Sequence, residues 1–178
     1  MSFRLVLVRH GLSSFNEKGL VQGRTDDSYL TDKGYEQALK SGEALSGINF
    51  DKIYSSPLRR ASETTKTIQK NLKGENNIIY DKNLLEVDLG SWSGLTINEI
   101  KNKYPEEYLL WKNDPENLNL ENIHNSTYQP IKELYEQANE FIKSILKIYL
   151  EKEEANILII GHNAILRCLI LTLIGRPK

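Results

Sequence analysis

The sequence predicts an α/β protein, a three-layer α/β/α sandwich built on a mostly parallel sheet. Short apolar segments rich in Val and Ile alternate with longer segments whose apolar residues recur at helical spacing. Strands that alternate with helices favour parallel pairing, with helices covering both faces of the sheet. The 178 residues contain no internal repeat and no linker-like stretch. This length is typical of one domain, so we expect a single domain over residues 1–178.

Four short segments are predicted to be strands. Residues 4–8 and 157–160 are the clearest, because each is a short run of Val, Leu and Ile of the kind that is buried in parallel sheets. Residues 50–54 and 78–80 have the same character over fewer positions. These four segments are separated by predicted helices, as a doubly wound sheet requires.

Helix boundaries are indicated by capping residues and by apolar spacing. Thr31 is predicted to cap a helix that reaches about residue 45. Ser56, followed by Pro57, is predicted to cap a helix that reaches about residue 72. The remaining helices are predicted over residues 96–104, 105–111, 131–150 and 164–174, the last of them closed by Gly175 and Pro177. The polar, Asn-rich residues 113–129 are predicted to be a surface loop.

Composition excludes several classes of protein. The 23 Lys and Arg residues balance 24 Asp and Glu, which argues against a nucleic-acid-binding protein. The single cysteine, Cys168, excludes a disulfide framework and a multi-cysteine zinc site. The apolar stretch at 157–174 is interrupted by polar residues, and no signal peptide precedes the first strand. We therefore expect a cytoplasmic protein without a membrane partner.

Polar residues that are able to bind a ligand or take part in catalysis follow three of the predicted strands. Arg9 and His10 follow the first strand, Ser56 follows the second, and His162 follows the fourth. Carboxyl ends of parallel strands meet at one edge of the sheet, where open α/β folds bind ligands. Two of the three histidines are therefore expected to lie in one crevice. Arg59 and Arg60 come soon after Ser56 in the chain. Since adjacent helical residues point about 100° apart, we expect only one of these arginines to face the crevice.

This combination of side chains suits phosphoryl chemistry. Arginine matches the geometry of phosphate oxygens, and a neutral imidazole can attack phosphorus to form a phosphohistidine. The leaving alkoxide needs a proton, for which Glu86 is the leading candidate among many acidic residues. The sequence has no His-Glu-x-x-His pattern, no Cys/His cluster and no Gly-x-x-x-x-Gly-Lys-Ser/Thr loop, so we expect neither a metal nor P-loop nucleotide binding.

Six motifs in order along nearly the whole chain resemble the histidine phosphatase superfamily, the phosphoglycerate mutase-like enzymes. The segments that carry the resemblance are Arg9-His10-Gly11 with Asn16, Gln22-Gly23, Leu30-Thr31, Ser56-Pro57-Leu58 with Arg60-Ala61, Leu85-Glu86 with Gly90-x-Trp92-x-Gly94, and Gly161-His162-Asn163. The resemblance implies a phosphoglycerate mutase-like fold in which His10 is the phosphorylated nucleophile and Glu86 the proton donor. It assigns Arg9, Arg60 and His162 to the phosphate pocket. The same resemblance assigns substrate or phosphate contacts to Ser13, Asn16, Gln22, Gly23 and Asn163.

The chain also departs from this family. Ser13 stands where threonine is common, and Ser93 where many members have glutamate. The usual Gly-Glu-Ser before the long helix is replaced by residues 125–127, which puts substrate contacts from that loop in doubt. Family members usually continue beyond the position of Lys178 into a further strand. Without that strand we expect self-association, as in a homodimer, or lower stability than that of an extended chain.

The resemblance implies a phosphatase of small phosphorylated metabolites. A phosphoglycerate mutase is the alternative, and an inactive phosphate-binding regulatory relative is the second alternative. The segment from Tyr104 to Gln129 contains one lysine and no arginine, so it offers little to hold a second phosphate group. The phosphatase is expected to need no cofactor. Only the mutase would require 2,3-bisphosphoglycerate.

Overall fold

The computed structural model describes residues 2–74, 77–121, 126–149, 152 and 154–175. Its centre is a four-stranded parallel sheet in the order β1-β6-β2-β3. The strands of this sheet are β1 (Ser2–Arg9), β2 (Lys52–Ser55), β3 (Ile78–Tyr80) and β6 (Glu154–Gly161). A separate antiparallel pair is formed by β4 (Leu120–Glu121) and β5 (Thr127–Tyr128). β1 and β6 pair in parallel along their whole length, from Ser2 opposite Glu154 to Arg9 opposite Gly161. The two longest strands therefore end side by side.

Helices cover both faces of this sheet, as the sequence predicts. The helices are α1 (Ser14–Glu17), α2 (Asp32–Leu45), α3 (Arg59–Gln69), α4 (Ile97–Lys103), α5 (Pro105–Asn113), α6 (Pro130–Tyr149) and α7 (Asn163–Ile174). Alternate residues of β6 divide the core: Leu158 and Ile160 pack with α2 and α3, whereas Ile157 and Ile159 pack with α6 and α7. Because side chains alternate across a strand, one apolar strand can bury both of its faces.

Several local predictions are confirmed. Thr31 caps α2, since its hydroxyl accepts the Gly34 N–H at 3.1 Å. Gly175 follows α7 with a φ of 78°, which a residue with a side chain rarely adopts. Pro177 lies outside the described residues. No helix in the described part of the chain is long and apolar enough to cross a membrane.

The predicted start of α3, the helix after Ser56, is wrong. α3 begins at Arg59, and Ser56 directly follows β2, three residues before it. The Ser56 hydroxyl lies 2.8 Å from His162 Nε2 instead of capping a helix. The Asp26 carboxylate, from a distant loop, accepts the Arg59 N–H in its place. A tertiary partner for each group therefore overrides the local capping signal.

The prediction of a plain surface loop over residues 113–129 is also wrong. A 3₁₀ turn (Pro115–Asn117) is followed by the β4–β5 pair, and Leu118 is fully buried in the core. Leu118 and Leu120 are two residues apart, so both can point inward from extended backbone. The alternation covers only two apolar residues within a polar segment, which is too few to predict a strand from the sequence. Residues 122–125 lie outside the described part of the chain.

Candidate active site

The two histidines predicted to share a crevice lie next to each other. His10 directly follows β1, His162 directly follows β6, and their ring centroids are 5.1 Å apart. The His10 N–H donates to the Gly161 carbonyl at 3.0 Å, which continues the strand pairing into the site. Both residues are buried, with 7% of His10 and none of His162 exposed. The parallel pairing of β1 with β6 therefore places both imidazoles at one edge of the sheet.

Backbone and hydroxyl contacts orient both imidazole rings. His10 Nδ1 lies 2.8 Å from the Gly11 carbonyl oxygen, and since a carbonyl only accepts, Nδ1 carries the proton. The lone pair of a neutral His10 is therefore on Nε2. His162 Nε2 pairs with the Ser56 hydroxyl, whereas His162 Nδ1 is buried without a hydrogen-bond partner within the described structure. Ser56 is thus a site residue, although its position before Pro57 predicts a helix cap.

The backbone around His10 is held by close contacts that require glycine. A Cβ on Gly11 would collide with the Gly34 carbonyl, and a Cβ on Gly34 would collide with the Leu12 carbonyl. The Gly11 N–H donates to the Thr64 hydroxyl at 3.1 Å, and that hydroxyl donates to the Arg60 carbonyl at 2.7 Å. Thr64 therefore links the His10 turn to α3, a role that its position in a polar helix did not reveal.

Arg60 lies inside the site and Arg59 outside it. Arg60 is fully buried, and its Nη1 and Nη2 donate to the carbonyls of Thr25 and Gly23, each at 2.9 Å. Its Nε has no partner among the described residues. Arg59 instead is exposed and bonds Glu63 one helical turn away. As expected from the helical geometry, only one of the two adjacent arginines is directed inward.

Glu86 lies at the beginning of α7. One of its carboxylate oxygens, Oε1, accepts the N–H groups of Val87 (2.9 Å), Ala164 (3.2 Å) and Ile165 (3.2 Å). The first amides of a helix have no partner within the helix and attract negative charge. Because His162 is the cap residue of this same helix, α7 places the carboxyl group close to the second imidazole.

Four of the remaining predicted contacts, Ser13, Asn16, Gln22 and Gly23, lie between β1 and α2, and the fifth, Asn163, lies at the start of α7. Ser13 is fully buried, and its Oγ lies 2.9 Å from Asn16 Oδ1 and 2.8 Å from Gln22 Oε1. Gly23 has a φ of 52°, and a Cβ there would approach Ser93 Oγ to 2.8 Å. Asn163 is exposed and begins α7. Ser13 thus bonds within the protein, where it orients Asn16 and Gln22.

A cavity of about 290 Å³ opens beside His10. Its lining residues are Arg9, His10, Gly11, Leu12, Asn16 and Gln37. Gln37, on α2, was not among the predicted site residues. Its side-chain oxygen accepts the Leu12 N–H at 2.8 Å, so it shapes the wall of this cavity. The volume is sufficient for a phosphoryl group and part of its ester.

Burial keeps both histidines neutral. Desolvation is the main cause that lowers the pKa of His10 to about 4, partly opposed by the hydrogen bond to Gly11 and reinforced by the charges of Arg60 and Arg9. Desolvation, with Arg60 next in weight, also holds the pKa of His162 well below its usual value. The pKa of Arg60 is lowered by burial to about 10, so its guanidinium remains charged at neutral pH. Neutral imidazoles beside a cation form a site for an anion.

These shifted pKa values predict a loss of stability in mild acid. The pKa of His10 is about 4 when folded and about 6.5 when unfolded, so between these values the unfolded chain binds more protons. Stability contributed by the neutral ring is complete above pH 6.5 and decreases as pH falls toward 4, by about 3 kcal/mol in all. Urea unfolding at pH 7 and pH 5 should show about 2 kcal/mol of this loss, with a smaller loss in His10→Gln. Equal losses in both proteins would contradict it.

Comparison with known proteins gives a consistent set of relatives. The sequence model of the histidine phosphatase superfamily (branch 1) matches residues 5–178. The chain is 37% identical over 172 residues to a protein of Arabidopsis thaliana named as a probable 2-carboxy-D-arabinitol-1-phosphatase, and 34% identical to the wheat (Triticum aestivum) 2-carboxy-D-arabinitol-1-phosphatase. Each alignment covers 97% of this chain, which spans about a third of the length of either plant protein (33% and 32%).

Bacterial relatives are covered more completely. The chain is 29% identical over 174 residues to phosphoserine phosphatase 1 of Hydrogenobacter thermophilus, covering 97% of this chain and 76% of that protein. The α-ribazole phosphatase of Shigella flexneri superimposes with a TM-score of 0.82 at 28% identity, covering 98% of this chain and 81% of that one. A 2,3-bisphosphoglycerate-dependent phosphoglycerate mutase of Parvibaculum lavamentivorans is 40% identical over 112 residues, which are 61% of this chain and 53% of that protein.

Proposed function

Because the chain belongs to the histidine phosphatase superfamily, we propose that it hydrolyses phosphomonoesters of small metabolites through a phosphohistidine intermediate. The observation that carries this proposal is the state of His10. Its Nδ1 proton is held by the Gly11 carbonyl, so Nε2 is free to attack. The ring borders a cavity that Arg9 also lines, and the charge of the buried Arg60 acts on the same ring. Relatives named as phosphatases, aligned over nearly the whole chain, support the same reaction.

In the first step, His10 Nε2 attacks phosphorus and a P–N bond forms. The bond between phosphorus and the ester oxygen breaks, and Glu86 gives its proton to the departing alkoxide. The position of Glu86 at the start of α7, next to His162, supports this role. Donation from Glu86 makes a poor leaving group, such as an alkoxide, competent to depart.

In the second step, water attacks the phosphohistidine. Glu86, now ionised, takes a proton from the water as the new P–O bond forms and the P–N bond breaks. Inorganic phosphate leaves, and His10 returns to its neutral state. The positive charge of Arg9 and Arg60, with a hydrogen bond from His162, would stabilise the phosphoryl oxygens in both steps. Asn16, Gln22, Gly23 and Asn163 are proposed as further phosphate or substrate contacts, with Ser13 orienting the first two.

A small phosphorylated metabolite is the substrate class that this pocket supports. The phosphatase relatives are named for different substrates, a sugar acid phosphate, phosphoserine and α-ribazole phosphate among them. A panel of such monoesters, assayed by phosphate release, tests the proposal. We expect hydrolysis of at least one of these esters with a kcat/KM within the ordinary enzymatic range of about 10⁴–10⁸ M⁻¹s⁻¹. No hydrolysis above the rate of a His10→Ala protein would overturn it.

A phosphoglycerate mutase is the second candidate, favoured by the match to a mutase at 40% identity. That match covers 61% of the chain, whereas the phosphatase matches cover 97%. The two activities separate in one assay of 3-phosphoglycerate with and without 2,3-bisphosphoglycerate. Conversion to 2-phosphoglycerate that depends on the bisphosphate indicates a mutase, and phosphate release without it indicates a phosphatase.

Catalysis is expected to need no metal ion or other cofactor. Arg9, Arg60 and backbone amides supply the positive charge that the phosphoryl group needs, and His162 a further hydrogen bond. Dialysis of the protein against EDTA should leave kcat/KM unchanged within about twofold, a difference of only about 0.4 kcal/mol in barrier. A loss of activity that is restored by added magnesium or zinc would contradict this expectation.

A further inference from the structure

Glu86 lies in a segment that has no regular secondary structure of its own. Residues 85–89 connect two 3₁₀ turns, Lys82–Leu84 and Gly90–Trp92. Backbone groups of such a segment are not fixed by a ladder or a helix, so other contacts must set the position of its side chains. The carbonyls of Leu85 and Glu86 in this segment, and that of Asn83 in the turn before it, accept hydrogen bonds from side chains far away in sequence.

Two of these bonds come from Gln137. Its Nε2 donates to the Asn83 carbonyl at 3.1 Å and to the Leu85 carbonyl at 2.7 Å, while its Oε1 accepts from Arg24 Nη2 at 2.9 Å. This set fixes the orientation of the amide, because two carbonyls require donors and a guanidinium requires an acceptor. Gln137 lies on α6 between Leu134 and Phe141, which are fully buried in the core. The amide is therefore presented from a rigid helix.

Arg24 supplies the third bond and connects the segment to the phosphate pocket. Its Nε donates to the Glu86 carbonyl at 3.0 Å. The neighbouring residues Gly23 and Thr25 use their carbonyls to hold the guanidinium of Arg60. The three consecutive residues 23–25 thus bond Arg60 through their backbone and Glu86 through the Arg24 side chain. The distance between the Arg60 guanidinium and the Glu86 carboxyl group therefore depends on residues 23–25.

We propose that Arg24 and Gln137 form a clamp that positions Glu86 for proton transfer. The proposal rests on the acid role given to Glu86 above. Neither residue needs to touch the substrate, because both act on the backbone that carries Glu86. Proton donation requires a heavy-atom separation of about 2.6–3.2 Å. A mutation away from the reacting atoms that displaces a catalytic group by about 1 Å lowers the rate on the order of 100-fold.

Gln137→Ala tests the clamp, with Asn139→Ala, an exposed amide on the same helix, as the matched control. kcat/KM is measured for an alkyl phosphate and for p-nitrophenyl phosphate, since it reports steps up to departure of the leaving group. Departure of p-nitrophenolate needs little protonation. We expect Gln137→Ala to lose about 10- to 100-fold on the alkyl ester and under threefold on the nitrophenyl ester, in line with displacement of the acid. Asn139→Ala should match the wild type on both.

Glu86→Gln separates failure of the clamp from failure of the acid assignment. If Glu86→Gln shows the loss confined to alkyl esters and Gln137→Ala does not, the clamp is wrong and the acid role stands. If Glu86→Gln loses equally on both esters, the acid assignment itself is wrong, and the clamp falls with it. In the double variant Glu86→Gln/Gln137→Ala, a clamp that acts only through Glu86 adds no further loss to that of Glu86→Gln.

Gln137→Glu covers the case in which the alanine variant does not fold. It keeps the acceptor for Arg24 and removes both donors to the carbonyls of Asn83 and Leu85. We expect the same loss confined to alkyl esters, with a wild-type inhibition constant for vanadate, because the pocket around His10 and Arg60 is unchanged. Wild-type activity on alkyl esters, or an equal loss on both ester classes, would overturn the proposal.

Discussion

Replacement of His10 by alanine is expected to lower kcat by about 10⁴- to 10⁶-fold, the range seen when a covalent nucleophile is removed. Of the described residues that line the cavity, His10 is the one with an imidazole ring, and it directly follows β1. His162 is adjacent, but its Nε2 is engaged by Ser56, which keeps that nitrogen from acting as a second nucleophile. Phosphate release from the best substrate of the panel measures the effect.

The covalent intermediate gives a second measurement of the same prediction. Wild-type protein quenched during turnover should contain phosphate that is stable in alkali and released in acid, as expected for a P–N bond. His10→Ala should contain none. His124→Ala, which removes the only other histidine besides His162, serves as the control and should be labelled like the wild type. If His10→Ala retains more than about a tenth of the wild-type rate, His10 is not the nucleophile.

Glu86→Gln is expected to have the second largest effect, a loss of about 10²- to 10⁴-fold in kcat/KM for alkyl phosphates. Glutamine has the shape of glutamate, and its oxygen can still accept the amide bonds from Ala164 and Ile165. It has no acidic proton to donate to the alkoxide. The structure around the start of α7 should therefore persist while proton transfer is lost.

Leaving-group dependence distinguishes proton transfer from a structural role for Glu86. The loss should shrink for p-nitrophenyl phosphate, whose leaving group departs without protonation. Glu106→Gln, a change of an exposed acid on α5, is the matched control and should leave both rates unchanged. An equal loss on alkyl and nitrophenyl esters would assign Glu86 a structural role. Melting curves of both variants verify that the fold is retained.

Much of the fold is determined by local sequence. The apolar run of β6 and the helical spacing along α6 identify those elements within a few residues, because a strand and a helix impose different periods on the same chain. Parallel pairing follows from the alternation of strands and helices, and it places His10 beside His162. The candidate nucleophile and its neighbour were therefore accessible from sequence alone.

The tertiary structure alone decided how polar groups far apart in the chain are paired. The position of Ser56 before Pro57 predicts a helix cap, yet Ser56 pairs with His162, 106 residues away. The N–H of Arg59, the first residue of α3, donates instead to Asp26 from another loop. Gln137 contacts Arg24 across 113 residues, and Glu86 reaches the first amides of α7 across 78. Periodicity records which face of an element is buried. Hydrogen bonds between distant residues depend on how elements dock and leave no period in one sequence, so the position of the candidate acid had to come from the fold.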